Sequence, residues 1–271
     1  MNGASPFASP PFLPLRRWLD QLPPHPDGGA LAALAEAFPV HGGNGRRIRF
    51  VPPRADGLAY EQRIRESGEV ETRPGNWHDF FNALVWLTFP QAKAALSARH
   101  AAAMGPEGDA RGSVRDALTH FDECGIVVLS SRPQLLDLLR DFQWKALFVA
   151  HRAEVVDAMR FVVFGHATYE QLLAPFRGLT AKAVLHEVDD GWLRQPLPAQ
   201  LAAIDTRLAA ELRSGCHARP RDFQPLPLLG IPGVTTANED PSYYDDTWQF
   251  RPGRSRDQRG TMRASSPLPS T

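Results

Sequence analysis

Four stretches of the sequence carry side chains that do chemistry, at spacings that could use them. The first is 76–89, NWHDFFNALVWLTF. At 100° per residue His78, Asp79 and Asn82 share one sector of a helix whose other positions are mostly large and apolar. Asn76 stands where an N-cap would, and Asp79 three residues on matches the acid of a capping box. An imidazole, a carboxylate and an amide at the start of a buried helix face either solvent or a polar site, and the helix dipole favours an anion there. The same residues also serve a plain structural purpose, as a cap and two surface side chains.

The second stretch is GHATYE, 165–170. Gly165 follows an apolar run that reads as a strand, and His166 opens a helix. Ligands of open α/β sheets collect at such turns. His166 and Glu170 are four apart, on one helix face, a spacing that can hold a metal ion between a ring nitrogen and a carboxylate. It is equally the spacing of an ordinary helical His–Glu pair. The third is FDECG, 121–125, where Asp122 and Glu123 are adjacent and only one is expected to face a site. Cys124 between acids is a poor thiolate, because negative neighbours raise its pKa. The fourth is LPLLGIPG, 226–233, followed by YYDDTWQFRP, 243–252. Here Asp245 could bind a substrate cation and Arg251 a substrate anion.

Positioning these groups falls to elements readable from punctuation and periodicity. Residues 30–38, 76–89, 91–104 and 113–120 read as helices, with Pro90 as a boundary. From residue 125 the order alternates: strands at 125–129, 159–164 and 182–188, and helices at 133–139, 166–174 and 198–213. A further strand is expected at 47–51. The pattern predicts a mixed, helix-rich α/β fold: a small, mostly parallel sheet flanked by helices, with a long ordered C-terminal loop region over 220–250. Residues 1–14, with four prolines, read as extended or disordered. Residues 15–252 form one globular domain, and 253–271 a disordered basic tail.

Composition excludes several classes. The 271 residues carry 30 basic and 30 acidic side chains, so no general footprint for nucleic acid exists. Five arginines against one aspartate after residue 250 make the tail the only segment suited to a nucleic acid. Two cysteines, Cys124 and Cys216, cannot build a disulfide framework or a zinc ribbon. No run approaches the roughly 20 apolar residues of a membrane helix, and the proline-broken N-terminus lacks a basic leader, so a soluble, cytoplasmic protein is expected. Phosphate-binding loops, the Gly-x-Ser-x-Gly elbow and His-Glu-x-x-His are absent.

Taken together, NWHDFFNALVWLTFPQAKAAL (76–96), LTHFDECGIVVLS (118–130), FGHATYEQLLAPF (164–176), LPLLGIPG and YYDDTWQFRP resemble the bacterial family designated domain of unknown function 3025. The similarity spans roughly residues 15–252. It implies a bacterial cytoplasmic protein with one family-wide domain, and no activity or site residue. The residues themselves favour a hydrolase-type, metal-assisted enzyme. His78, His166, Glu170 and Asp122 would hold a divalent ion, with Asp79, Asn82 and Glu123 as further catalytic groups, acting on an unidentified small molecule. The competing reading is a non-catalytic adaptor that meets a protein partner through the GIPG loop and the YYDDTW segment.

Overall fold

The computed structural model describes residues 6–103 and 109–253. Among the described residues six strands form two sheets. β1 (Arg49–Val51) and β2 (Glu69–Glu71) pair in parallel. β3 (Gly125–Ser130), β4 (Met159–Val163), β5 (Thr180–Glu187) and β6 (Gln224–Pro227) make the larger sheet in the order β4-β3-β5-β6. All six residues of β3 are buried, as a β-branched central strand requires.

The larger sheet corrects the expectation of a mostly parallel one. Only β3 and β5 run parallel; β4 and β6 are antiparallel to their neighbours. The helical segments between β3 and β4, over Pro133–Arg140, Ala146–Ala150 and Arg152–Ala158, bring the chain back in the reverse direction rather than crossing over. β6 was not visible in the sequence because Pro225 and Pro227 punctuate it. It is an edge strand, where a missing N–H is tolerated.

The helices flank these sheets. The Trp77–Thr88 helix starts on Asn76, whose side chain accepts from the Asp79 N–H, and it lies against the short His166–Gln171 helix. The Pro90–Ala103 helix begins with Gln91 and Ala92 N–H groups donated to Asp205, a buried carboxylate on the Leu197–Arg213 helix. A helix over Asp109–Cys124, longer than the expected 113–120, leads straight into β3.

Residues 6–14 are not extended. Pro6–Ala8 and Pro10–Leu15 form 3-10 turns, and Phe12 and Leu15 are fully buried, Phe12 against the rings of Phe81 and Tyr169. Prolines at fixed φ made the segment look open, while its apolar side chains pull it onto the core. The proposed tail beyond Gly253 lies outside the described residues, as does part of the loop expected at 105–112. Among the described residues no helix is long and apolar enough to cross a membrane.

Two glycines shape the ground under the site. A Cβ on Gly125 would stand 2.3 Å from the Phe121 carbonyl oxygen, and one on Gly165 would stand 2.4 Å from both the Glu123 carbonyl oxygen and the Gly125 N. Gly165 and Phe164 both donate their N–H to the Gly125 carbonyl. Only glycine lets the end of β4 touch the joint between the Asp109–Cys124 helix and β3, which puts His166 beside Glu123.

Candidate metal centre

Three elements meet at this joint. His78 comes from the first turn of the Trp77–Thr88 helix, His166 from the start of its short neighbour, and Asp122 and Glu123 from the last turn of the Asp109–Cys124 helix. Consecutive residues on a helix point about 100° apart. Asp122 and Glu123 therefore reach opposite ends of one imidazole: Glu123 Oε2 is 3.6 Å from His166 Nε2, and Asp122 Oδ2 is 3.9 Å from His166 Nδ1.

The two imidazoles face each other edge to face, with Nε2 of His166 2.9 Å from Nε2 of His78 and ring planes at 79°. Glu123 Oε2 is 3.8 Å from His78 Nε2. One ligand atom from each of His78, Glu123 and His166 thus fits within a span of 4.8 Å. Around a metal with bonds of about 2.0–2.2 Å, tetrahedral donors stand roughly 3.3–3.6 Å apart. The three observed separations bracket that range. His166 is nearly enclosed, at 6% side-chain exposure, whereas Glu123 at 37% and His78 at 30% open the site to solvent.

Proton placement adds to the argument. His78 Nδ1 lies 3.0 Å from Glu170 Oε2. An ionised carboxylate only accepts, so we assign the His78 proton to Nδ1 and a lone pair to Nε2. His166 Nδ1 is buried without a side-chain hydrogen bond, and Asp122 is the carboxylate facing it. The 2.9 Å contact is a hydrogen bond when one ring carries its proton on Nε2; with both protons on Nδ1, two lone pairs and a Glu123 oxygen converge with no proton among them. Such a donor set is repulsive by itself and complementary to a cation. Burial drives the His166 pKa down to about 4 against the opposing pull of Asp122, which leaves its ring neutral at pH 7. Burial also pushes the Glu123 carboxyl up, with His78 opposing.

Lys93, on the Pro90–Ala103 helix, is the cation behind this arrangement. Its ammonium is 2.6 Å from Asp122 Oδ1 with 4% of its side chain exposed. Burial raises the Asp122 pKa, but Lys93 and then His166 outweigh it, and the carboxyl sits below its ordinary value.

The residues singled out in the sequence divide as follows. His78, His166 and Glu123 supply the converging donors, and Glu123 takes the ligand position expected of Asp122. Asp122 instead pairs with Lys93. Glu170 is not a fourth ligand of that cluster; it hydrogen-bonds the far side of His78. Its helical spacing from His166 misled, because the two side chains meet opposite ends of His78, His166 at Nε2 and Glu170 at Nδ1. Asp79 is not in the cluster either: it accepts from the Arg73 N–H and Nε at 2.8 and 2.7 Å. Asn82 is buried one turn below His78, and its amide donates to the Tyr60 hydroxyl at 2.7 Å. Tyr60 is 38% exposed, yet its hydroxyl end is enclosed, and that desolvation first, then the charges of Asp122 and Glu61, raises its pKa well above its usual value.

Asp245 pairs with Lys145, and Arg251 donates to the Trp248 carbonyl, so neither belongs to the cluster. The LPLLGIPG and YYDDTWQFRP stretches divide between core and surface, with Asp245, Thr247 and Trp248 exposed. Leu228, Ile231, Tyr244 and Phe250 are buried, and the Tyr244 hydroxyl donates to the Gly230 carbonyl. Their loop-like composition hid how much apolar surface they cover. Cys124 is a poor thiolate as expected, its pKa raised by burial and then by Glu123. Tyr60 and Lys93 were not recognisable as site residues. The one available signal for Lys93 is its rarity, since the chain has three lysines.

Neither a curated protein nor a solved structure matches the chain. A family model described as a protein of unknown function, DUF3025, matches residues 48–254, a span that includes every donor of the centre. The chain that brings His78, Glu123 and His166 together is therefore a member of the DUF3025 family.

Proposed function

We propose that the protein binds one divalent transition-metal ion through Nε2 of His78, Nε2 of His166 and the carboxylate of Glu123, and uses it for metal-assisted hydrolysis. The observation that carries this reading is the triangle of donor atoms at 2.9, 3.6 and 3.8 Å. Two imidazoles and one carboxylate suit zinc or iron, and three protein ligands leave a coordination position for water. A metal in that position lowers the pKa of bound water toward ~7. Of the acids nearby, Asp79 is tied to Arg73 and Asp122 to Lys93, while Glu170 stands at the mouth, 43% exposed and bonded to His78. Glu170, held at Nδ1 behind His78, orients that ring rather than reaching a water on the metal.

The test is metal analysis of protein purified without a histidine tag, followed by titration with Zn2+, Fe2+, Mn2+ and Co2+. One equivalent is expected in the wild type and none in H78A or H166A. Metal-dependent turnover of a panel of chromogenic esters, amides and phosphate esters, abolished by chelation, is the expected sign of hydrolysis. Failure of every metal to bind stoichiometrically overturns the centre, and metal binding without turnover of any substrate class overturns the hydrolytic role.

A further inference from the structure

The metal reading leaves the Lys93–Asp122 pair unexplained. A buried ammonium and carboxylate are expensive to desolvate, and a pair of similar apolar residues would often be no less stable. Here the pair sits directly behind His166. Asp122 offers one oxygen to Lys93 at 2.6 Å and turns the other toward His166 Nδ1 at 3.9 Å. That Nδ1 has no side-chain hydrogen bond, and the Asp122 main chain is the ring's other polar neighbour. His78 has the matching arrangement, with Glu170 behind its Nδ1 at 3.0 Å. Each imidazole therefore has a carboxylate on its far side. The one behind His78 is open to solvent, and the one behind His166 is mostly enclosed, at 17% side-chain exposure, and balanced by a buried lysine.

Resting on the metal centre proposed above, we propose that Asp122 is a positioning residue for that centre: fixed in place by Lys93, it holds His166 with its proton on Nδ1, so that the Nε2 lone pair faces the metal. Carboxylates behind metal-bound histidines orient the ring and raise its basicity, and their loss typically costs 10–100-fold in metal affinity. Lys93 has a separate task. It holds the carboxylate at one oxygen so that the other is free to face the ring, and it balances a charge that would otherwise be buried alone. Its ammonium also lies 5.5 Å from the centre of the Trp86 ring, which restricts where it can move.

The decisive variant is K93M/D122N. It removes one positive and one negative charge, so the net charge of the site is unchanged and a loss of affinity cannot be assigned to simple Coulomb attraction. The single D122N would leave a buried ammonium without a partner and confuse folding with function. We expect the double variant to bind Co2+ and Zn2+ 10–100-fold more weakly than wild type in chelator competition. Nitrogen-15 NMR of the metal-free proteins is expected to find His166 protonated on Nδ1 in the wild type and redistributed toward Nε2 in the variant. Affinity within threefold of wild type overturns the proposal, as does a wild-type His166 protonated on Nε2. If wild type binds neither ion, the metal centre itself falls, and the NMR measurement still decides whether Asp122 sets the tautomer. If the double variant does not fold, the wild-type tautomer alone decides.

Discussion

Nε2 of His78 and Nε2 of His166 lie 2.9 Å apart although their residues are 88 positions apart in the chain. Two neutral rings with their protons on the outer nitrogens would present lone pairs to each other at that distance. Either a proton or a metal ion must resolve the contact. A bound ion adds stability to the native state in proportion to RT ln(1 + [L]/Kd), about 2.7 kcal/mol at a hundredfold excess over Kd. Zn2+ or Co2+ is therefore expected to raise the melting temperature of the wild type and to leave that of H78A or H166A unchanged. Differential scanning fluorimetry with and without chelator checks this, and equal shifts in all three proteins would count against the centre.

Glu170 is expected to act on the metal through His78. E170Q keeps an acceptor near Nδ1 but removes the charge, and metal affinity should fall about 10–100-fold with little change in the melting temperature of the metal-free protein. Turnover at saturating metal should fall less than affinity, because Glu170 acts on the ring and not on the water. Calorimetric titration and steady-state kinetics on the same preparation separate the two effects.

Asp79 provides the contrast on the same helix. It is bound to Arg73 and sits outside the donor triangle. D79N should leave metal affinity within about threefold of wild type, because both Asp79 oxygens are engaged by Arg73 and neither belongs to the donor cluster. A large loss of metal from D79N would mean that Arg73 and Asp79 shape the centre.

G165A tests the contact beneath the site. The added methyl carbon meets backbone atoms of Glu123, Cys124 and Gly125 at 2.4–2.6 Å, and backbone cannot swing aside like a side chain. Overpacking of this kind typically costs 1–3 kcal/mol. The melting temperature should drop and metal affinity should fall with it, since Glu123 and His166 are pushed apart. A fully stable G165A that binds metal normally would remove this glycine from the account.

Away from the site, Glu211 ties the end of the Leu197–Arg213 helix to His186 and His217, and also accepts from Arg207. Burial alone would raise its pKa; the His186 ring nitrogen 2.9 Å away and the hydrogen bond with His217 outweigh it, and the carboxyl is held well below its ordinary value. A depressed folded-state pKa means stability that is present above the unfolded value and lost as pH falls toward the folded one. The wild type should therefore melt higher than E211Q at pH 6–7. The gap should close as the solution is taken below about pH 4.5, and thermal melts across that range measure it.

How much of this was readable beforehand differs by element. The helix at 77–88 announces itself through Asn76, an apolar face and Pro90, and its bounds agree within a residue. β3 follows from its run of β-branched residues, and β5, with only Thr180 and Val184 of that kind, was still placed within two residues, at 182–188. Strand direction was not readable, because helices between strands look the same whether the chain crosses over or turns back. Both histidines were identified as site residues because each begins a helix next to an apolar run. Which acid meets them was not, since Asp122 and Glu123 differ only by a 100° turn on a helix that was expected to end before either of them. Lys93 was invisible because an alanine-rich helix gives no hint of what lies behind it.

The three converging donors belong to stretches that are far apart in the chain and otherwise held by separate helices. An ion seated among them would act as a crosslink, closing two long loops of chain at a single point. The entropy lost on closing a loop grows only slowly with its length, so such a fastening favours the folded chain most where the intervening segments are long. Loading and stripping the ion would then change how the whole molecule comes apart, with the helical layer and the sheet unfolding together in one case and free to separate in the other.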